Sequence, residues 1–492
     1  MPLPDLLTSS DRTLLVGDAV ALSQRQLLAQ AQALADELTA AGAVVVALVA
    51  DNGPDWLIAD LAAQLAGVVL VPLPGFFSPN QLFHSAVTAG VDTLLCDDPK
   101  TTLGWLRRPV KAIRTTALPS LQLVGIEPAR RAALPAGTAK ITFTSGSTGQ
   151  PKGVCLSDQQ QLEQALRLQR RLTLDSPRHL CVLPLSTLLE NVAGAYTALL
   201  SSGQVLLPSL QALGFSGSRL VDGKRLLATI STTEPTTAIV TPALLQLLAT
   251  AAAQGWQPPS SLTMVAVGGA RVSPRVLEQA RAAGIPAYEG YGLSECCSVV
   301  SVNSPAADAV GSSGRVLPGL DVCTEAGEIV VAGNAMLGYV DEPGSWGQAR
   351  IHTGDLGRLD GDILTVTGRR KNLLVSAYGR NISPEWLEAE MVAGTAVGEC
   401  VVFGDAMPYC VALLSPRDPA LTDAAIDDWV SAVNHTLPDY ARIQRWHRLQ
   451  RPLAESEGLL TDNGRPRRES IQRRYHRELM ALYDAVPEEL NP

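Results

Sequence analysis

The first hundred residues alternate between helical and extended patterns, and the extended stretches are apolar without interruption. That alternation constrains the fold more than any other feature. Ser23, with Gln26 three residues on, forms a capping box, after which Leu27, Ala31, Leu34 and Leu38 recur at helical spacing. Gly42 ends that helix, and VVVALV (44–49) follows as a buried strand. Residues 54–66 read as a second helix ended by Gly67, followed by VVLVPL (68–73); a third helix and TLLC (93–96) complete the pattern. Strands without a polar face need cover on both sides, so the pattern predicts α/β architecture with mostly parallel sheets covered by helices.

Residues 228–300 repeat the theme: helix 242–253, strand TMVAVGG (263–269), helix 274–283, then AYEGYG (287–292). From about residue 372 the scale changes. Ser383 ahead of Pro384 reads as the cap and first turn of a short helix. The strands ECVVFG (399–404) and YCVALLSP (409–416) and a helix over 422–436 follow, a compact α+β unit. A chain of 492 residues also exceeds what one hydrophobic core serves, roughly 250–300 residues. The expected organisation is a large N-terminal domain, 1–370, and a small, mobile α+β domain, 371–492, joined by a short hinge.

Charge and cysteines narrow the class. With 39 Lys+Arg against 48 Asp+Glu the net charge is −9, which argues against nucleic acid or another polyanion as partner. Eight cysteines form no CxxC pair and read as scattered small hydrophobes in a reducing cytoplasm. The opening MPLPDLLTSSDR has no basic region followed by an apolar stretch, so no signal peptide is expected. The longest apolar stretch is broken by Asp51, Asn52, Gly53, Pro54 and Asp55, so no membrane span is expected either.

The most informative segment is ITFTSGSTGQPKGVCLS, 141–157. Hydroxyl residues and glycines gather directly after a strand, with Lys152 close behind. Unobstructed backbone N–H groups, hydroxyls and a cation are what binding a polyphosphate demands. The spacing is not that of a Walker loop, because Pro151 precedes Lys152 and Gly153 follows it.

With this string, EGYGLSE (289–295), GEIVVAGNAMLGY (327–339), HTGDLGRLDGD (352–362) and TGRRKNLLVSAYGRNISPEWLE (367–388), the chain resembles the AMP-forming acid ligases: acyl-CoA synthetases, carrier-loading adenylation domains and luciferases. The resemblance runs over nearly the whole chain. It implies that Thr144, Ser145, Gly146, Ser147, Thr148, Gly149 and Lys152 line the phosphates of ATP. Gly268 and Gly269 would admit the base edge, Tyr291 would stack on adenine, and Ser294 would lie beside the nucleotide. Asp355 would accept the ribose hydroxyls, with Arg369 nearby. Glu295, with Thr144, would hold Mg²⁺, a hard cation suited to oxygen ligands. Lys371 falls at the hinge, and Gly379 on the face used for the thiol. The implied chemistry is attack of a carboxylate on the α-phosphate, release of pyrophosphate, and displacement of AMP by a thiol, CoA or a carrier-protein pantetheine.

Two positions depart from the pattern. The family places a lysine near its C-terminus, where EGLLTDNGRPRRESI (457–471) has Arg465, and no lysine follows Lys371. Arginine keeps the charge, but its planar fork does not replace an ammonium. The catalytic set implied is therefore Lys152, Glu295 and Arg465. The second departure is LPLSTLLENV (183–192), similar to a segment of long-chain acyl-CoA synthetases, with Thr187 where that branch has histidine. Ser186 and Thr187 become acyl-pocket candidates, and an uncharged acid, first of all a fatty acid, the expected substrate. The run Arg442, Arg445, Arg448, Arg451, Arg465, Arg467, Arg468, Arg473, Arg474 and Arg477 reads as a solvated helix face, or as a dock for an acidic carrier protein or the phosphates of CoA. The expected function is ATP-dependent activation of a small-molecule carboxylic acid and its transfer to CoA. The alternatives are loading of a carrier protein and, because of Arg465, a nucleotide-binding pseudoenzyme.

Overall fold

The computed structural model describes residues 3–7, 10–144, 151–217, 219–378, 380–456, 458–461 and 464–484. Two large mixed sheets fill its N-terminal part. The centre of the eight-stranded sheet is parallel: Thr93–Cys96, Val45–Val49, Val69–Pro72 and Lys140–Thr144, in that spatial order. The centre of the thirteen-stranded sheet is parallel too, running from Thr13–Gly17 through Gln204–Leu207, Arg178–Leu180, Thr237–Val240 and Met264–Val267 to Ala287–Leu293. These are the strands that helices connect.

The margins correct the expectation of mostly parallel sheets. From Ala287–Leu293 outward every pairing is antiparallel, through Ser298–Val302, Arg315–Val316, Ile363–Arg369, Arg350–Asp360, Glu328–Ala332 and Asp321–Glu325. No helical crossover connects these strands, and only such a crossover returns a chain parallel to its neighbour. The result is a mixed α/β fold with a large N-terminal and a small C-terminal part.

Local sequence sets the helices as read. Ser23 and Gln26 form a reciprocal capping box at the start of Gln24–Ala40. Pro54–Ala66 begins on a first-turn proline and ends at Gly67 in the left-handed conformation. This helix is buried from Trp56 to Ala63 and contacts both sheets, which explains why its sequence is apolar all round. Its single charged core residue, Asp60, pairs with Lys140 at 2.8 Å. All eight cysteines are free, and all but the partly exposed Cys323 are buried.

The C-terminal part packs Val397–Phe403, Cys410–Pro416 and Ile443–Arg448 into a three-stranded sheet. Helices Pro384–Val392 and Asp423–Asn434 share one apolar cluster with it, and residues from Arg468–Arg474 and His476–Asp484 share another. Ser383 takes the cap position, but its side chain caps nothing: the hydroxyl donates to the Glu385 carboxylate (3.1 Å), a stronger acceptor. The arginine run is not one solvated helix face. Arg445 and Arg448 lie on a strand, Arg448 pairs with Asp423, and Arg468 is largely buried against Glu388 at 2.6 Å. No helix among the described residues is long and apolar enough to cross a membrane.

Candidate active site

The site lies where the two parts meet, and three strand ends build it. Lys140–Thr144 pairs antiparallel with Lys152–Leu156, and Thr144 stands opposite Lys152. Ser145, Gly146, Ser147, Thr148 and Gly149 lie outside the described residues, as does Gly379. Lys152 Nζ sits 2.9 Å from Glu342 and 4.9 Å from the centre of the Tyr339 ring. Tyr339 is brought there by the pairing of Gly338–Tyr339 with the Lys152–Leu156 strand.

Tyr339 in turn donates its hydroxyl to Glu295 Oε1 at 2.9 Å, and the Met336 N–H donates to the Glu295 carbonyl. Burial first, and the Glu295 charge second, raise the Tyr339 pKa, so the phenol stays a donor. Glu295 and Ser294 stand on a single 3-10 turn, Ser294–Cys296, directly after the strand that carries Tyr291. The second carboxylate oxygen of Glu295 meets no donor among the described residues. A half-satisfied carboxylate with a threonine hydroxyl in the same region is a hard-oxygen donor set, which fits Mg²⁺.

A second group centres on Asp355. Its Oδ2 accepts from the Tyr291 hydroxyl at 2.8 Å, and Arg369 Nε lies 3.3 Å from Oδ1. The antiparallel register sets Asp355 opposite Arg369, which makes this pair a consequence of strand pairing. Burial raises the pKa of Asp355, while Arg369 and the Tyr291 hydroxyl oppose the shift. Beside it, Gly268 and Gly269 end the Met264–Val267 strand. Gly269 has φ +86°, a conformation that side chains disfavour, and its carbonyl accepts a hydrogen bond from Arg465 Nη2. Lost hydration, then the Arg369 charge, lower the pKa of Arg465. Lys371, in the turn Arg370–Asn372, is shifted down by the same two causes, with Arg465 adding to them.

Thr187, an acyl-pocket candidate with Ser186, lies in the turn after Pro184. Its hydroxyl donates to Pro184 O (2.8 Å), closing its own turn, while Ser186 is buried. The apolar surface nearby comes from Leu189, Ala193, Ala266 and Tyr288, with Leu189 facing the place where a side chain on Gly268 would point. Sequence reading also missed Tyr339, Glu342 and Glu289. Burial pushes the Glu289 carboxyl up to about 7, against the pull of Arg271. Glu289 and Tyr291 are two apart on one strand and therefore share a face, the signal that was available.

This geometry is matched by a known family. The AMP-binding enzyme profile matches residues 7–340, and the AMP-binding enzyme C-terminal domain profile matches residues 371–487. The chain belongs to the AMP-binding enzyme family. Among curated relatives, the 2-succinylbenzoate–CoA ligase of Bacillus velezensis is 30% identical over 386 residues, 74% of this chain and 75% of that protein. The long-chain-fatty-acid–CoA ligase FadD15 of Mycobacterium tuberculosis is 29% identical over 248 residues, but the match spans only 44% of this chain and 41% of that one. Among solved structures, the anthranilate CoA ligase AuaEII with anthranoyl-AMP superposes with a TM-score of 0.79 at 17% identity, covering 96% of this chain and 97% of that one. The MenE O-succinylbenzoate synthetase of Bacillus subtilis with AMP reaches 0.75 at 23% identity, covering 96% and 98%.

Proposed function

We propose that this enzyme activates a carboxylic acid with ATP to an acyl-adenylate and passes the acyl group to CoA. The observation that supports the proposal is the chain of contacts that links Lys152 through Tyr339 to Glu295, and Tyr291 through Asp355 to Arg369, with Arg465 and Glu295 both close enough to Asp355 to act on its charge. Tyr339 aside, these six residues come from four stretches of sequence, around 152, 291–295, 355–369 and 465.

In this reading Asp355 takes the ribose hydroxyls, Tyr291 flanks the base, and Lys152 leaves Glu342 for the phosphates together with the 144–149 segment. Arg465 offers its guanidinium where negative charge develops between the acid and the α-phosphate. Glu295, with Thr144, would hold Mg²⁺, which when bound would supply neutralisation of phosphate charge. The chain's own contribution is to fix two anions in contact and to stabilise the charge they share. Lys371 at the junction is the residue about which residues 371–492 would turn between the two half-reactions, and Gly379 is assigned to the thiol-transfer step.

The acid has an uncharged tail in this reading, because the side chain facing Gly268 is the apolar Leu189. A fatty acid is the first choice, from the LPLSTLLE segment and the likeness to FadD15. An aromatic acid is the second, favoured by the longer match to a 2-succinylbenzoate ligase, whose substrate, a dicarboxylate, would instead bring a charged tail. Pyrophosphate release with ATP and Mg²⁺, across dodecanoate, benzoate, anthranilate and 2-succinylbenzoate, with mass detection of the adenylate, tests the reading. Subsequent addition of CoA or of a pantetheinylated carrier protein identifies the acceptor. ATP binding without pyrophosphate release from any acid would instead establish a nucleotide-binding protein without the reaction.

A further inference from the structure

One buried pair takes no part in the chemistry above. Glu190 is fully buried and His179 nearly so, and His179 Nε2 lies 2.7 Å from Glu190 Oε1. The other oxygen of Glu190 accepts from the Leu183 N–H at 2.8 Å, and His179 Nδ1 lies 3.0 Å from the Thr237 hydroxyl on the neighbouring strand. Glu190 reaches this position from a π-helical turn, Leu189–Tyr196. Such turns are rare and concentrate at functional sites. Gly194, one turn on, makes room for the pair: a Cβ there would stand 2.4 Å from both Glu190 Oε1 and His179 Nε2.

Stability alone is a weak reason to bury such a polar pair, since well-packed apolar residues of similar volume often serve as well. What the pair does is local. It clamps the amide of Leu183, whose carbonyl is held by Asn52 Nδ2 while the Leu185 amide is held by Asn52 Oδ1. The turn 183–188 is thus fixed from two sides, and it delivers Leu189 to its place facing Gly268. The side chain of Asn191, the next residue of the π-turn, points into a different network with Lys140 and Asp60, and only its backbone N–H reaches the 183–188 turn, at the Thr187 carbonyl.

We propose that Glu190, oriented by His179, is a positioning residue for the acid, holding turn 183–188 and Leu189 as the wall against which the acyl tail rests. This rests on the ligase reading given above.

The test uses the full chain and whichever of dodecanoate, anthranilate and 2-succinylbenzoate the unaltered enzyme turns over fastest. Glu190→Gln is expected to raise KM for that acid ~10-fold while KM for ATP stays within ~2-fold, the scale of one charge-assisted hydrogen bond. His179→Leu should do the same, and His179→Gln, which keeps a donor toward Glu190, should restore most of the affinity. Hydrogen exchange should show faster-exchanging amides over 183–188 in Glu190→Gln. Asn191→Ala, a perturbation of the same π-turn, should lower Tm without changing the ratio of the two KM values. If Glu190→Gln and His179→Leu shift both KM values in equal proportion, or neither, the pair is merely structural and the inference falls. Should Glu190→Gln not fold, the two His179 variants decide the matter. An unaltered enzyme inactive with every acid would sink the ligase reading itself, a result distinct from an active enzyme whose variants show no split.

Discussion

Arg465 donates from its guanidinium Nη2 to the carbonyl oxygen of Gly269, tying the C-terminal part of the chain to the glycine turn that ends the Met264–Val267 strand. The contact places a cation near Asp355 and Arg369 with the two parts in this one arrangement. Arg465→Ala is therefore expected to slow pyrophosphate release by ~10–100-fold, the usual cost of removing one electrostatic contact to a transition state. Thioester formation from synthetic acyl-adenylate should stay within ~2-fold, because the second half-reaction does not use that contact. Arg465→Lys restores the residue type that the resemblance places here and should raise the rate of adenylation. Rates unchanged in both variants would put Arg465 away from the reacting atoms.

Asp355 carries the second prediction. Tyr291→Phe removes one hydrogen bond to its carboxylate and leaves Arg369 in place, so KM for ATP should rise only ~3–10-fold. Asp355→Ala removes the ribose acceptor and strands Arg369 beside Lys371 and Arg465, and the loss in kcat/KM for ATP should be far greater, ~100-fold. Equal small effects from both would remove Asp355 from the nucleotide site.

Lys152 separates stability from function. Lys152 and Glu342 are each about half exposed, so their pairing contributes under ~1 kcal/mol to folding. Glu342→Gln should leave urea unfolding within that margin and lower KM for ATP, because Lys152 then has no rival anion to leave. Lys152→Ala should be equally stable and poor in ATP use. A Lys152→Ala variant with normal ATP kinetics would contradict the site assignment.

The elements were legible where local chemistry decides them. The capping box at Ser23, the first-turn prolines at 54, 242, 274 and 384, and Gly67 marked helix ends that the structure reproduces. The antiparallel margins were not legible in the same way. Their strands are short, their pairing is between segments such as Arg315 and Ile363 that lie far apart in sequence, and no crossover helix announces them. The resemblance supplied Tyr291, Asp355 and Arg369, whose contacts to one another follow from register. Tyr339, Glu342 and the His179–Glu190 pair meet their partners only through tertiary packing, and a single sequence gives no sign of it. Thr187 shows the converse: a hydroxyl in a pocket-like segment was already committed to its own turn.

Glu289 gives the last prediction, a pH dependence of stability. In the unfolded chain its carboxyl ionises near 4.5, whereas burial in the folded protein pushes it up to about 7. Between those values the folded state holds the proton more tightly than the unfolded state. Its contribution to stability is therefore fully present below pH 4.5 and is lost as pH rises through about 7. A shift of this size corresponds to about 3 kcal/mol. Glu289→Gln removes the titration, so the variant should gain on the unaltered protein from pH 5 to about 7 and hold that margin, without widening it, at pH 8. Arg271 keeps Glu385 and Glu390 as charged neighbours in that variant, which limits any offsetting loss. Urea unfolding of both proteins at pH 5, 6, 7 and 8 makes the comparison. Stability curves that run parallel across that range would mean that Glu289 is ionised and hydrated in the folded protein, and that the cleft beside Tyr291 is wetter than its packing implies.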